Sequence, residues 1–266
     1  IFASLLATGS QTWLWYSDRL VEFPLGLFGV AIGTVILPYL SRRYADTDVR
    51  GYSAALDWGL RLVLLLGVPA AVGLFLLAEP LTVTVFERGQ FDAADSRMTA
   101  WALMAMSAGI PAFMLTKVLA PAFYARQDTR TPMRAALVTV LTNVLLTVAI
   151  VTPMWQRDIP GAHAGIAAAT AGAGVLNALL LWRALVRSGA FAARPGWRRY
   201  LLQLGLATTL LAVAVLVWRH YVGDWRALVE WQRWATSLGA ISAGAAAYAA
   251  GLLIAGWRPA QLRHRD

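Results

Sequence analysis

Asp18, Arg19 and Glu22 stand within five positions of one another in the stretch WYSDRLVEFP (15–24), which is otherwise mostly aromatic and aliphatic. The apolar run LGLFGVAIGTVILP (25–38) follows directly. On a helix, Arg19 and Glu22 are i,i+3 and Asp18 and Glu22 are i,i+4, so the three share one broad face. A guanidinium stays charged at any relevant pH and offers a planar fork matched to phosphate oxygens. A carboxylate beside it would hold the fork while no ligand is bound and compete with the ligand at release. The chemistry on offer is recognition of an anion by Arg19, with Glu22 and Asp18 as neighbours. A second reading stays open here: the charges sit at a membrane interface and only pair with one another. Trp15 and Tyr16 are interfacial residue types and place Arg19 one turn deeper, which speaks for the first reading.

The surroundings decide how unusual these charges are. Of the 266 residues 59% are hydrophobic and 14% charged, with mean hydropathy +0.58. A soluble domain is about half apolar and a quarter charged. Several windows approach the roughly 20 apolar residues that span a bilayer, so the chain reads as an all-α, polytopic transmembrane helical bundle. A charge near the bilayer centre costs roughly 2.5–3.5 kcal/mol on insertion scales. The helix carrying Arg19 must therefore turn that face toward protein or a water-filled cavity.

Apolar runs and breakers predict seven complete spans: residues 12–44, with Pro24 and Pro38 as kinks; 52–78; 96–125, broken by Pro111 and Pro121; 132–151; 161–186; 197–218; and 234–255. EPLTVTVFERGQFDAAD (79–95) reads as a mixed connection, re-entrant or interfacial. The chain opens inside an apolar run at Ile1, with no Met and no charged n-region, so a signal peptide is not expected and a helix cut midway is.

Arginine placement tests the segmentation. Alternate connections carry 14 arginines (42, 43, 50; 126, 130, 134; 183, 187, 194, 198, 199; 258, 263, 265) against 6 (88, 97, 157, 219, 226, 233). The richer side, which holds the C-terminus, is expected to be cytoplasmic. The net charge of +9 is therefore loop charge on a membrane protein, and nucleic acid is not an expected partner. Two further basic residues fall in spans. Arg61 is two turns from a span entry and is expected to snorkel. Lys117 is roughly 13 Å along a helix from Arg126 and either snorkels or lines a cavity.

Other constellations carry less. Asp46-Thr47-Asp48 resembles a metal-binding DxD but lies in a basic loop and reads as solvated. Asp92 and Asp95 read as a loop and helix start. His163, His220 and His264 make no ligand pair at helical spacing, and the chain has no cysteine, so no metal or cofactor is expected. Thr142, Asn143 and Thr147 suggest interhelical hydrogen bonding, and GIAAATAGAGVLNA (165–178) suggests close helix packing. A membrane enzyme acting on polyprenyl phosphates would need an acid or His cluster at one membrane face, and the loops offer only scattered acids.

YSDRLVEFPLGLFGVAIGTVILPYLSR (16–42), LDWGLRL (56–62), VFERGQFDAAD (85–95) and KVLAPAFYARQDTRTPM (117–133) together resemble the MurJ (MviN) family of lipid II flippases. That family is a branch of the multidrug/oligosaccharidyl-lipid/polysaccharide exporter superfamily. The resemblance is strong to about residue 135 and architectural beyond it. It implies fourteen transmembrane helices in two lobes of six plus a C-terminal pair. Residues 1–187 would be the second lobe, from the end of the seventh helix through the twelfth. Residues 188–266 would be the thirteenth and fourteenth helices and a cytoplasmic tail, and the first lobe would be missing. The implied activity moves lipid II, an undecaprenyl-pyrophosphate-linked disaccharide pentapeptide, from the inner to the outer leaflet of the bacterial cytoplasmic membrane. Its implied partners are this lipid, membrane lipids and the missing lobe. Arg19 matches the family's cavity arginine, and Glu22 falls at a cavity-facing position. A sibling exporter of another polyprenyl-linked glycan or of a drug shares the fold and is the alternative.

Overall fold

The computed structural model describes residues 2–258. Ile1 and the tail residues Arg263, His264 and Arg265 lie outside them.

Ten α-helices follow in chain order: α1 (Ser10–Pro24), α2 (Ala31–Ala45), α3 (Val49–Leu76), α4 (Ala78–Phe86), α5 (Ala93–Ser107), α6 (Ile110–Tyr124), α7 (Arg130–Gln156), α8 (Ala162–Arg187), α9 (Trp197–Val222) and α10 (Glu230–Ile254). A single wide π-helical stretch, Leu25–Val30, joins α1 to α2, so Ser10–Ala45 is one continuous rod. Among the described residues six helical segments are long and apolar enough to cross a membrane, and α5 with α6, bent by 43°, makes a seventh. These are the seven spans expected from the apolar runs, and the molecule is an all-α polytopic membrane bundle.

The prolines act unequally. Pro24 lacks the N–H that would close a regular turn, and the helix widens into the π stretch immediately after it. Pro38 and Pro121 sit inside α2 and α6 without ending them. The break in the 96–125 span falls at Ala108-Gly109, with Pro111 in the first turn of α6, where a missing N–H is harmless. Residues 79–95 differ from expectation: most of their first half is α4, with Pro80, Thr82 and Thr84 buried. Its hydroxyls find partners within the helix and beyond it. Thr82 donates to Glu79 O at 2.9 Å, and Thr84 lies 2.7 Å from Pro80 O and 2.8 Å from the hydroxyl of Ser237 on α10.

The main core is built by α3, α5, α6 and α8 around Leu56, Leu60, Leu103, Ile110, Leu119 and Leu181. Small residues let α6 and α8 close on each other: a Cβ on Gly109 would lie 2.9 Å from Ala171 Cα. The α9–α10 pair leans on α3 through Leu65, Tyr200, Leu204, Ala207 and Leu252. Its polar anchors reach carbonyls that α3 cannot satisfy itself. Pro69 leaves Leu65 O without its i+4 donor, and the Tyr248 hydroxyl supplies one at 2.7 Å. Leu76 O, in the last turn of α3, accepts from Arg219 at 2.6 Å.

The turn before α7 shows why an Asp precedes a Thr-Pro pair there. Asp128 accepts from the Thr131 hydroxyl at 2.6 Å and from the Thr131 N–H at 3.0 Å. These hydrogen bonds, the hydroxyl's first, hold its carboxyl below the usual carboxylate range. A depressed pKa stabilises the fold above the unfolded value of about 4, and the contribution is lost as pH falls through the folded value. Asp128→Ala is expected to cost about 1 kcal/mol at pH 7. The gap between the two thermal midpoints in detergent should close in acid below about pH 4.

Candidate functional site

The N-terminal half of the Ser10–Ala45 rod has two faces. Ser17, Val21 and Pro24, spaced i, i+4, i+7, are buried against the bundle. Tyr16 fixes the same segment from the side, with ring centroids 4.4 Å from Phe86 and 5.2 Å from Phe91. Trp15, Arg19, Glu22 and Gly26, spaced i, i+4, i+7, i+11, run down an exposed stripe, with Asp18 beside it. The charges therefore point away from the packed bundle because the small and apolar residues between them are claimed by it.

Arg19 Nη1 lies 2.7 Å from Glu22 Oε2, and both side chains are 53% exposed. The guanidinium also stacks on Trp15, 4.8 Å from the ring centroid. It is held from both sides along its own helix yet leaves most of its N–H donors free. That is a preset fork with a carboxylate already in the position an anion would take. Asp18 is exposed and joins no ion pair among the described residues.

Lys117 arrives from α6. Its Cγ would lie 3.5 Å from a Cβ on Gly29, and its carbonyl oxygen 3.6 Å from one on Gly33. The glycines of the LGLFGVAIG stretch thus let α6 cross the rod closely, and Lys117 runs along the groove they leave. The ammonium forms no ion pair among the described residues, and Lys117 is exposed. The four candidate residues are placed on one rod and its crossing helix; among them, of the described residues, only Arg19 and Glu22 form an ion pair.

Arg61 does not snorkel. Its Nε lies 2.8 Å from Asp57 Oδ2, with side chains 16% and 4% exposed, and its guanidinium stacks on Trp197 and Tyr200. Asp57 also accepts from Trp197 Nε1 at 2.7 Å and from the Arg194 N–H at 3.1 Å. The i,i+4 spacing in LDWGLRL could have revealed the pair, but not its partners roughly 140 residues on. A second charged cluster at the opposite end of the bundle was also missed. There Arg226 reaches Glu79 at 2.8 Å and Glu87 at 3.3 Å, tying α4 to the α9–α10 connection. The polar stripe on α7 bonds within its own helix, Thr147 to Asn143 at 3.3 Å, rather than between helices. Asp48 and Asp92 serve as helix caps, and Asp92 with Asp95 forms a full capping box.

The family model for the lipid II flippase MurJ matches residues 1–232. The chain belongs to the MurJ family. A probable lipid II flippase MurJ of Vibrio cholerae is 40% identical over 98% of this chain, and the lipid II flippase MurJ of Burkholderia cenocepacia is 41% identical over 84%. The chain spans about half the length of the curated relatives it matches, 48% and 42% of these two. A solved lipid II flippase MurJ in an inward closed conformation superposes with a TM-score of 0.75, covering 95% of this chain and 48% of that one, at 24% identity. The MurJ match takes in the whole exposed stripe, Lys117 and the Asp57–Arg61 pair, and ends at the start of α10.

Proposed function

We propose that this chain forms one wall of the transport cavity of a lipid II flippase. The reading rests on one observation: a half-open Arg19–Glu22 pair, beside Asp18, on a rod long and apolar enough to cross a membrane. Arg19 takes the diphosphate of undecaprenyl-pyrophosphate-linked disaccharide pentapeptide, displacing Glu22, which returns as the ligand leaves. Lys117 adds a mobile point charge for the same anion, and Asp18 limits how tightly it is held. No bond is made or broken. The charged headgroup crosses roughly 30 Å of hydrocarbon inside a solvated cavity while the polyprenyl tail stays in lipid. Access alternates as one wall rocks against another, driven by a difference in ligand affinity between the two states.

On this reading residues 1–187 form a lobe that a second helical lobe faces, and residues 188–266 form a C-terminal helix pair and tail. The arginine-rich ends and the C-terminus lie in the cytoplasm of a bacterium, across its inner membrane. The support is the family membership and the 14-to-6 arginine split.

The test is transfer of labelled lipid II across vesicles holding the full-length protein, beside a polyprenyl-linked glycan of different sugar composition and an analogue lacking the diphosphate. Lipid II is expected to move fastest and the analogue not at all. Equal movement of the analogue would remove the anion site. Faster movement of the other glycan would favour a sibling exporter.

A further inference from the structure

At the arginine-rich end of the bundle three connections converge around a cavity of about 450 Å³. The last turn of α2 brings Arg43, the α2–α3 turn Thr47 and Asp48, the α6–α7 turn Arg126, and the end of α8 Ser188 and Gly189. This cavity lies at the far end of the rod from Arg19 and shares no residue with that site.

Its charges are arranged unequally. Asp48 is fully engaged: Oδ2 accepts from Arg43 Nη1 at 2.9 Å, and Oδ1 accepts from the Gly51 N–H at 2.8 Å, capping α3. Arg43 is equally engaged, since its other nitrogens donate to the Tyr39 hydroxyl at 3.0 and 3.3 Å. Arg126 differs. Its Nη1 donates to Ser188 Oγ at 2.9 Å, and it has no carboxylate partner among the described residues. Ser188 in turn donates to Leu185 O at 2.8 Å, which fixes the hydroxyl as an acceptor toward Arg126 and so fixes the guanidinium. A held arginine with unused donors faces a cavity whose lining carries two guanidinium groups against one neutralised carboxylate. Tyr44 and Val49, both exposed, form its rim.

We infer that this cavity binds a phosphate-bearing anion through Arg126, with Arg43 supplying the field behind it. The tetrahedral oxyanion is the chemistry that a free arginine fork on a positive, partly enclosed lining recognises. Two sources carry it: the headgroup of an anionic phospholipid, or phosphate free in solution. Either would bridge three connections, adding to the Arg126–Ser188, Tyr52–Ala122 and Ser53–Ala192 hydrogen bonds that already join them. Bound anion therefore stabilises this end of the bundle.

The full-length protein in detergent, titrated separately with inorganic phosphate and with phosphatidylglycerol against phosphatidylcholine, provides the test. Thermal midpoint is the readout, and Arg126→Gln, Arg126→Lys and Arg134→Gln are compared with the parent. The parent midpoint is expected to rise with one or both anions. Arg126→Gln, which can still bond Ser188, should lower apparent affinity about ten-fold. Arg134→Gln, on the same side but outside the cavity, should match the parent. A response to phosphatidylglycerol alone identifies the headgroup as the source; a response to phosphate identifies the free ion. No response in the parent, an unchanged affinity in Arg126→Gln, or an equal loss in Arg134→Gln overturns the site. Should Arg126→Gln fail to fold, Arg126→Lys decides: it keeps the charge without the fork, and unchanged affinity there overturns the proposal equally.

Discussion

Arg19→Ala in the full-length protein is expected to reduce lipid II transfer by at least about thirty-fold while leaving the fold intact. The asymmetry follows from the contacts of Arg19. Among the described residues its ion pair and its ring contact both lie on its own helix, to Glu22 one turn on and Trp15 one turn back, and half of it is exposed. Exposed pairs of this kind contribute about 0–1 kcal/mol to stability. Against a diphosphate in a closed cavity the same group makes charge-assisted bonds, and removing one partner of such a pair costs about 2–5 kcal/mol. The lower end of that range is about thirty-fold in a binding or rate constant. Arg19→Lys retains the charge but loses the fork and should fall between. Glu22→Gln should act in the opposite sense on binding, because the resting competitor for Arg19 is gone: lipid II is held longer and released more slowly. Lipid II exposure at the outer surface, measured beside thermal midpoint, separates these outcomes. Unchanged transfer in Arg19→Ala would sink the ligand role.

Much of the architecture could be read from local pattern, because what fixes it is local. Span number follows from apolar run length and from breakers such as Gly109 and Pro111, and helix starts from Asp92 with Asp95. The charged face was legible too, since i,i+3 and i,i+4 spacing puts Asp18, Arg19 and Glu22 on one side of a helix; the buried row of Ser17, Val21 and Pro24 came only with the packing. What was not legible depends on chain segments far apart. The α4 helix reads as part of a mixed, re-entrant or interfacial connection until Ser237 and Arg226 arrive to satisfy Thr84, Glu79 and Glu87. The glycines near Lys117 stand inside an apolar run, and nothing in that run announces that α6 crosses them. Arg61 looks like a snorkelling residue because nothing near it in sequence announces Trp197 and Tyr200.

That last case carries a large expected stability effect. Asp57→Ala is expected to destabilise the protein by about 3 kcal/mol or more, since removing one member of a buried pair strands the other. Three groups lose their partner at once: the Trp197 indole N–H and the Arg194 backbone N–H lose an acceptor, and the Arg61 guanidinium loses its counter-charge. Two of these belong to the connection into α9, so the loss should concentrate there, and proteolysis of residues 188–196 should quicken. Asp57→Asn keeps an oxygen for Trp197 and should lose less. The paired change Asp57→Leu with Arg61→Met should recover most of the stability, because a buried ion pair can be exchanged for apolar packing far more cheaply than it can be halved. That recovery distinguishes a latch that needs its partners matched from one that needs its charge. A double variant as unstable as Asp57→Ala would mean that the ionic contact itself holds the C-terminal helix pair to α3. An Asp57→Ala midpoint equal to that of the parent would mean that the apolar seam of Leu65, Leu204 and Leu252 suffices without it.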